Sequence, residues 1–360
     1  MQYNHVVHHG DDDGYCAAAI IIGQCIPTTV SEDRTFSYWH GDEVPAIQYD
    51  KVTETDRLFI LDLALDDVML GIIRKFREAA PKGTIIHIDH HKSTFEKLNA
   101  LSPEDKELMS SVIQYYRIGL SGCLLAWIWT SMHEDEQQHP DDVPFDFMPQ
   151  MTHVGLWPEG YGGHEERLYP IPSIVRWIND WDVWTHELPD TTEFHYGFML
   201  EDNKSPFNKD LWSGALYDRN IEYLLHQLYV GPGRTILQYI NEINKSALER
   251  AFEDEIMWKN EAGQWTTEKI LMLNATGNSM VFGDKIKEYP AVMLWHYNGK
   301  THQYHYSLYS HEGGLDVSVI AKYYGGGGHA HAAGFQSDLS AMGLYGDSLF
   351  EMEREREQDK

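Results

Sequence analysis

Three short strand-like runs in the first quarter of the chain each lead into acids or histidines. That pattern restricts the fold more than any other feature. Residues 3–8 (YNHVVH) run into His9, Asp11, Asp12, Asp13 and Gly14; residues 57–64 (RLFILDLA) carry Asp62; residues 85–89 (IIHID) run into His90 and His91. Between them lie a compact apolar helix at 15–24 and a helix that Asp66 caps, running to about Ala80 before Pro81 and Gly83. Residues 36–40 suggest one more short strand. Strands alternating with helices predict a largely parallel α/β sheet. Such a sheet places its chemistry at the carboxyl ends of its strands.

Further along, residues 95–114 read as moderately helical and 119–132 as a buried helix. An acidic, proline-punctuated loop is expected at 134–149, an aromatic helix at 174–184 and no regular element at 190–208. Residues 216–259 read as helix interrupted at Gly231-Pro232-Gly233. From Lys269 the texture turns to strands, then to a helix capped by Asp316, then to Gly325–Gly328 and His329. The expected domains are 1–190, a helical connector at 191–264, a smaller mixed α/β domain at 265–340 and a charged tail at 341–360.

Composition narrows the function. The 360 residues are 42% hydrophobic, which is enough for real cores, and no stretch approaches the roughly 18 apolar residues of a membrane span. The first residues lack the pattern of a signal peptide, so a cytoplasmic protein is the expectation. Three cysteines, none in a CxxC, read as small buried thiols and argue against a cysteine-based zinc site. A net charge of −28 and a pI near 5.0 argue against wrapping long duplex DNA or an anionic membrane. A short nucleotide in a local pocket stays compatible, because bound cations can reverse the local field. A homodimer is also compatible with the sequence.

Each polar cluster has two readings. Asp11 and Asp13, on alternate residues of a strand-to-helix turn with His9 beside them, can face one cation; a solvated acidic turn capping the next helix is the simpler account. Asp62 between Leu61 and Leu63 needs a partner, a metal or a strand-end position. Asp89, His90 and His91 offer oxygen and imidazole donors, which together suit manganese, iron, cobalt or zinc. Asp180 and Asp182 close an aromatic helix, and either can reach a site. The four glycines free backbone amides to approach an anion, with His329 at the tip; a flexible loop is the alternative.

Taken together, HxDxDG at 9–14, Asp62, DHHKS at 89–93 and GGGGHAHAAGF at 325–335 resemble the DHH family of phosphoesterases with a C-terminal DHH-associated domain. The nanoRNase and oligoribonuclease-like subgroup is the most similar, and the resemblance covers nearly the whole chain. It implies an α/β DHH domain joined by a helical connector to the smaller domain, with the active site in the cleft between them. It also implies two divalent ions, manganese first. His9, Asp11, Asp13, Asp62, His90 and Asp180 match the metal ligands, Asp62 as the acid bridging both ions. Asp180 fits the fourth motif better than Asp182 because Trp184 follows it by four residues. Asp89 and His91 match groups that orient the phosphate, so Asp89, His90 and His91 form the implied catalytic triplet. Gly326, Gly327, Gly328 and His329 match the loop that holds the substrate's phosphate or 3′ end. One departure stands out: where relatives often carry arginine in a Ser-Leu-Arg-Ser strand, this chain has Tyr309, a phenol that can stack on a base. The implied activity is hydrolysis of short oligoribonucleotides to nucleoside 5′-monophosphates from the 3′ end. Cyclic or linear dinucleotides and 3′-phosphoadenosine 5′-phosphate are alternative substrates, and a catalytically inactive nucleotide sensor is the rival outside enzymes.

Overall fold

The computed structural model describes residues 2–24, 30–39, 43–132, 137–138, 171–218, 221–260 and 262–340. The chain separates into two compact units, divided between Leu237 and Gln238. The charged tail at 341–360, Cys25 and all of the expected 134–149 loop except residues 137–138 lie outside the described residues. Among the described residues no helix is long and apolar enough to cross a membrane.

The first unit is built on five parallel strands: β1 Asn4–His9, β2 Thr35–Tyr38, β3 Arg57–Leu61, β4 Thr84–Asp89 and β5 Val112–Tyr116, in the spatial order β2-β1-β3-β4-β5. The order reverses at β1, so a crevice forms beyond the carboxyl ends of β1 and β3. Register brings those ends level, with His8 opposite Leu61 and Leu61 opposite Ile88. The residues that follow, namely His9 to Asp13, Asp62 and Asp89 to His91, therefore share one edge of the sheet.

Helices cover both faces. On one side lie α1 Asp12–Gln24 and α5 Gly122–Ser131, where Ala17, Ala18 and Ala19 let α1 sit close and Cys16 and Cys123 are buried free thiols. On the other lies α2 Asp67–Ala79, whose Met69, Ile72, Ile73 and Phe76 fall on one helical face and are all 2% exposed or less. Asp66 caps it by accepting from the Met69 amide at 2.8 Å.

Three segments differ from expectation. Residues 95–114 are two helices and a strand: α3 Lys92–Ala100, α4 Pro103–Ser110 and then β5. Ser102 caps α4, with Pro103 at its first position, and this splits the helical stretch. Residues 190–208, read as irregular, contain α7 Thr191–Phe198, which follows α6 Ser173–Asp182. Phe194 and Phe198, one turn apart, stack with centroids 5.2 Å apart in the core. α8 Lys209–Tyr217 buries Leu211 and Trp212 in the same core.

Gly231-Pro232-Gly233 does not interrupt a helix. Helix α9 Glu222–Leu225, a π-helical turn at His226–Val230 and α10 Gly231–Leu248 follow one another without a gap. The glycine serves close approach: a Cβ on Gly233 would fall 1.7 Å from the Glu193 carbonyl of α7. The helical reading to residue 259 is also corrected, because β6 Phe252–Lys259 is a strand. Its β-branched and aromatic positions pair with a long neighbour, and pairing outweighs the charged residues that suggested helix.

The second unit holds β6, β7 Trp265–Asn274, β8 Val292–Asn298, β9 Gln303–Tyr309, β10 Gly327–His329 and β11 Ala332–Ser337, with α11 Val317–Tyr323. The sheet order is β10-β11-β9-β8-β7-β6, and only β7 and β8 pair in parallel. Alternation along β7 puts Ile270 and Met272 in one core, with α11, and Leu271 and Leu273 in another. The glycine loop forms the edge hairpin of this sheet, with Gly328 opposite Ala333 and Tyr309 opposite Ala332.

Candidate metal centre

At the sheet edge of the first unit His9, Asp11, Asp13, Asp62, His90 and His91 gather, joined by Asp182 from the end of α6. Asp62 follows β3 in the left-handed region, φ 57°, a conformation aspartate tolerates better than most residues. It is 1% exposed and anchored by its amide, which donates to the Ile88 carbonyl at 2.9 Å. There is room for it only because α5 begins with glycine: a Cβ on Gly122 would lie 2.6 Å from the Asp62 Cβ. Asp13 is clamped by the same helix start, accepting from the Gly122 amide at 2.6 Å and the Cys123 amide at 2.8 Å. A carboxylate there meets the positive end of the α5 dipole. Asp11 accepts from the Gly14 amide at 2.9 Å with one oxygen and keeps the other 2.6 Å from His9 Nδ1.

His90 stands at the middle. Its Nε2 is 3.1 Å from Asp62, 3.4 Å from Asp182 and 4.0 Å from Asp13. His91 is held from behind: Nδ1 donates to Asp89 at 2.7 Å, and Thr94 donates to the same carboxylate at 2.5 Å. That leaves Nε2 of His91 as its free nitrogen, the arrangement by which a carboxylate orients a metal-facing imidazole.

Electrostatics without a cation are unfavourable. Burial pushes the Asp62 carboxyl well above its usual range, and the charges of Asp13, Asp11, Asp182 and Asp89 push it further. Asp182 is raised well above normal by burial and by Asp13, Asp11 and Asp89. Burial holds His90 below its usual value, which favours the neutral ring a cation needs. Burial also pulls His91 down, but the Asp89 contact more than reverses this and raises it. Asp89 itself is held at about 2, the pull of His91 and Thr94 overcoming its burial.

Unmet valences point the same way. Both Asp62 oxygens, Asp182 Oδ2 and His9 Nδ1 are buried without a hydrogen bond, His9 lying near Asp11 but off hydrogen-bond direction. Each such atom costs about 1–3 kcal/mol unless something else binds it. Three donor sets each lie within 4.8 Å: His9, Asp11 and Asp62; Asp62, His90 and His91; Asp13, His90 and Asp182. Asp62 and His90 each belong to two sets; the two oxygens of Asp62 can serve neighbouring ions, whereas the one His90 nitrogen facing the cluster serves a single ion. Four carboxylates balance the charge of two divalent ions, and the mixed oxygen and nitrogen donors suit manganese, iron, cobalt or zinc. The residues present fit such ions.

Of the expected ligands, His9, Asp11, Asp13, Asp62 and His90 converge, and Asp180 does not. Asp180 is 3% exposed and turned into the chain that follows α6. It accepts from Thr185 Oγ1 and Thr191 Oγ1 at 2.6 Å each, and from the Glu187 and Leu188 amides at 2.9 and 3.1 Å. A carboxylate so fully bonded has no lone pair to offer a cation. Asp182 takes its place, because residues two apart on a helix point to opposite faces. The signal available in the sequence was an acid at a helix C-terminus, where the dipole disfavours it unless a cation compensates. Trp184, the supposed marker for Asp180, is instead half exposed in the left-handed region, φ 58°. Asp89 supports His91 and has no free oxygen directed at the cluster.

The expected substrate residues are grouped in the second unit. Gly326, Gly327, Gly328 and His329 are exposed on the edge hairpin. Tyr309 is on β9 and donates to the Gly277 carbonyl at 3.4 Å.

No known family profile matches the chain. It is 28% identical over 188 residues, 51% of its length, to an uncharacterized protein of Acanthamoeba polyphaga mimivirus, of which the match spans only 40%. Among solved structures it resembles a pGpG-specific phosphodiesterase from Vibrio cholerae, with 13% identity, 98% of each chain covered and a TM-score of 0.44. An exopolyphosphatase-related protein from Bacteroides fragilis, at 14% identity and a TM-score of 0.34, covers 97% of this chain and 92% of its own. These scores are too low for fold or activity to be taken from either.

Proposed function

We propose that the chain is a metal-dependent phosphoesterase of the DHH type. Its proposed reaction is hydrolysis of short oligoribonucleotides to nucleoside 5′-monophosphates, from the 3′ end. The observation that carries this reading is the convergence of buried, hydrogen-bond-free donor atoms: Asp62 and Asp182 lie 3.1 and 3.4 Å from His90, and His9 Nδ1 lies 3.7 Å from Asp62. Two divalent ions, manganese first, would activate a water and offset phosphoryl charge. His9, Asp11, Asp13, Asp62, His90 and Asp182 would hold them, with Asp62 between the two.

The chain's own groups do the positioning. Asp13 is fixed by the α5 amides and Asp62 by its backbone, so the donors need little rearrangement. Asp89 and Thr94 hold the His91 ring so that Nε2 stays the nitrogen facing the donor cluster. In the second unit, Gly326–His329 is the proposed support for the substrate's phosphate or 3′ end, and Tyr309 for a base. The phenol, which cannot grip a phosphate as a guanidinium does, keeps linear and cyclic dinucleotides and 3′-phosphoadenosine 5′-phosphate among the candidate substrates.

The test is turnover of di- to pentaribonucleotides, cyclic dinucleotides and 3′-phosphoadenosine 5′-phosphate by the purified chain with manganese. Asp62→Ala and His90→Ala should each abolish it with the fold intact; wild-type rates in either would overturn the metal assignment. His329→Ala should raise KM or lower kcat, and an unchanged profile would assign the hairpin to packing alone.

A further inference from the structure

The metal cluster opens at one side into a cleft within the first unit of about 300 Å³. That is the low end of small-ligand pockets, roughly 300–1,000 Å³. Asp11, Asp13 and Asp182 form its acidic end. The remaining wall is different in kind, being lined by Trp177, Trp181, Phe194, His195, Met199 and Lys204. Trp181 and His195 lie face to face, with centroids 3.7 Å apart and planes 12° apart. Burial, with the nearby Lys204 and His186 charges, holds His195 down at about 4, so its ring is neutral near pH 7. Met199 is 59% exposed at the rim. Lys204 is tied to Asp12 at 2.6 Å, so a cation stands beside the acidic turn.

Aromatic wall and metal donors therefore share one cavity. A simple phosphate needs only the acidic end. Trp177 and Phe194 belong to the core, but Trp181 and His195 are only partly buried beside the acidic end, an aromatic surface that a flat ring on the phosphate would cover.

We propose that this cleft is a nucleobase subsite, in which the base attached to the reacting phosphate packs against the Trp181–His195 pair. The proposal rests on the phosphoesterase reading and extends it, making Trp181 and His195 specificity-determining residues that the sequence motifs do not include. Stacking tolerates any base, so the subsite selects nucleotides over other phosphate esters without selecting sequence.

The experiment is calorimetric binding of AMP and of ribose 5-phosphate to the full-length protein with manganese. AMP should bind about tenfold or more tightly than ribose 5-phosphate, the stacking of one base. The ratio should fall below about threefold in Trp181→Leu and His195→Ala and survive in Trp181→Phe. Ribose 5-phosphate affinity should be unchanged in all three, which would show that neighbouring Asp182 is undisturbed. Equal affinities in the wild type, a ratio that survives both disruptive variants, or no binding of either ligand would overturn the subsite. Equal affinities in a protein that hydrolyses phosphodiesters would sink the subsite alone. An intact, Trp181-dependent preference in a protein that hydrolyses none would support the subsite and sink the phosphoesterase reading.

Discussion

Two aspartates separated by one residue at the end of α6 have opposite roles, and they give the sharpest test at the scale of single residues. Asp180 accepts four hydrogen bonds and ties the α6–α7 connection; Asp182 has a buried oxygen with none. Asp180→Ala should cost about 3 kcal/mol or more, because several buried donors lose their acceptor. In chelator, Asp182→Asn should leave Tm unchanged or raise it, since it removes a repelled carboxylate, and it should weaken the stabilisation that manganese confers. Thermal unfolding with chelator and with manganese measures both. The pH sign follows from Asp180 being held below the usual carboxylate range by Thr185, Thr191 and the two amides, against its burial. Its contribution is complete above the unfolded value near 4 and is lost as pH falls through the lower folded value. Tm should therefore decline less on acidification below about pH 4 in Asp180→Asn than in wild type. A parallel decline would contradict the assignment.

At the scale of elements, the centre depends on three parallel strand ends meeting the start of α5. Gly122→Ala should displace Asp62, costing roughly 1–3 kcal/mol of stability. It should also cost most of the manganese affinity, read by calorimetry; wild-type affinity would show that Asp62 can move without loss. The strand ends were legible in the sequence because β3 and β4 are apolar runs broken by few polar residues and β1, though only Val6 and Val7 are apolar, leads into the acidic turn. The run expected at 85–89 lies within β4. Less local structure was not legible. β5 follows α4 after a single residue, so no loop announces it. α7 is held by Thr191 bonding to Asp180 and by aromatic packing, which are tertiary effects that propensity does not contain. Five of six expected ligands sit at strand ends or in the turn that opens α1, where position dictates direction. The sixth was expected on a helix, where an offset of two residues selects the other face: Asp180 turns to the α6–α7 connection and Asp182 to His90.

At the scale of the molecule, a chain of net charge −28 offers anions little on its own. Nucleotide binding should therefore need the divalent ions: chelator should remove AMP binding, and added manganese should restore it. Long duplex DNA should not compete, since a chain of net charge −28 has little with which to release its counterions. AMP binding of equal strength in chelator would place the ligand away from the metal centre. The central claim is two-metal hydrolysis, and its most direct measurement is product analysis of a labelled diribonucleotide incubated with the full chain and manganese. The account predicts nucleoside 5′-monophosphate as product, with none formed in chelator and none by Asp62→Ala. Binding of the dinucleotide without its cleavage in manganese, cobalt, iron or zinc would contradict it.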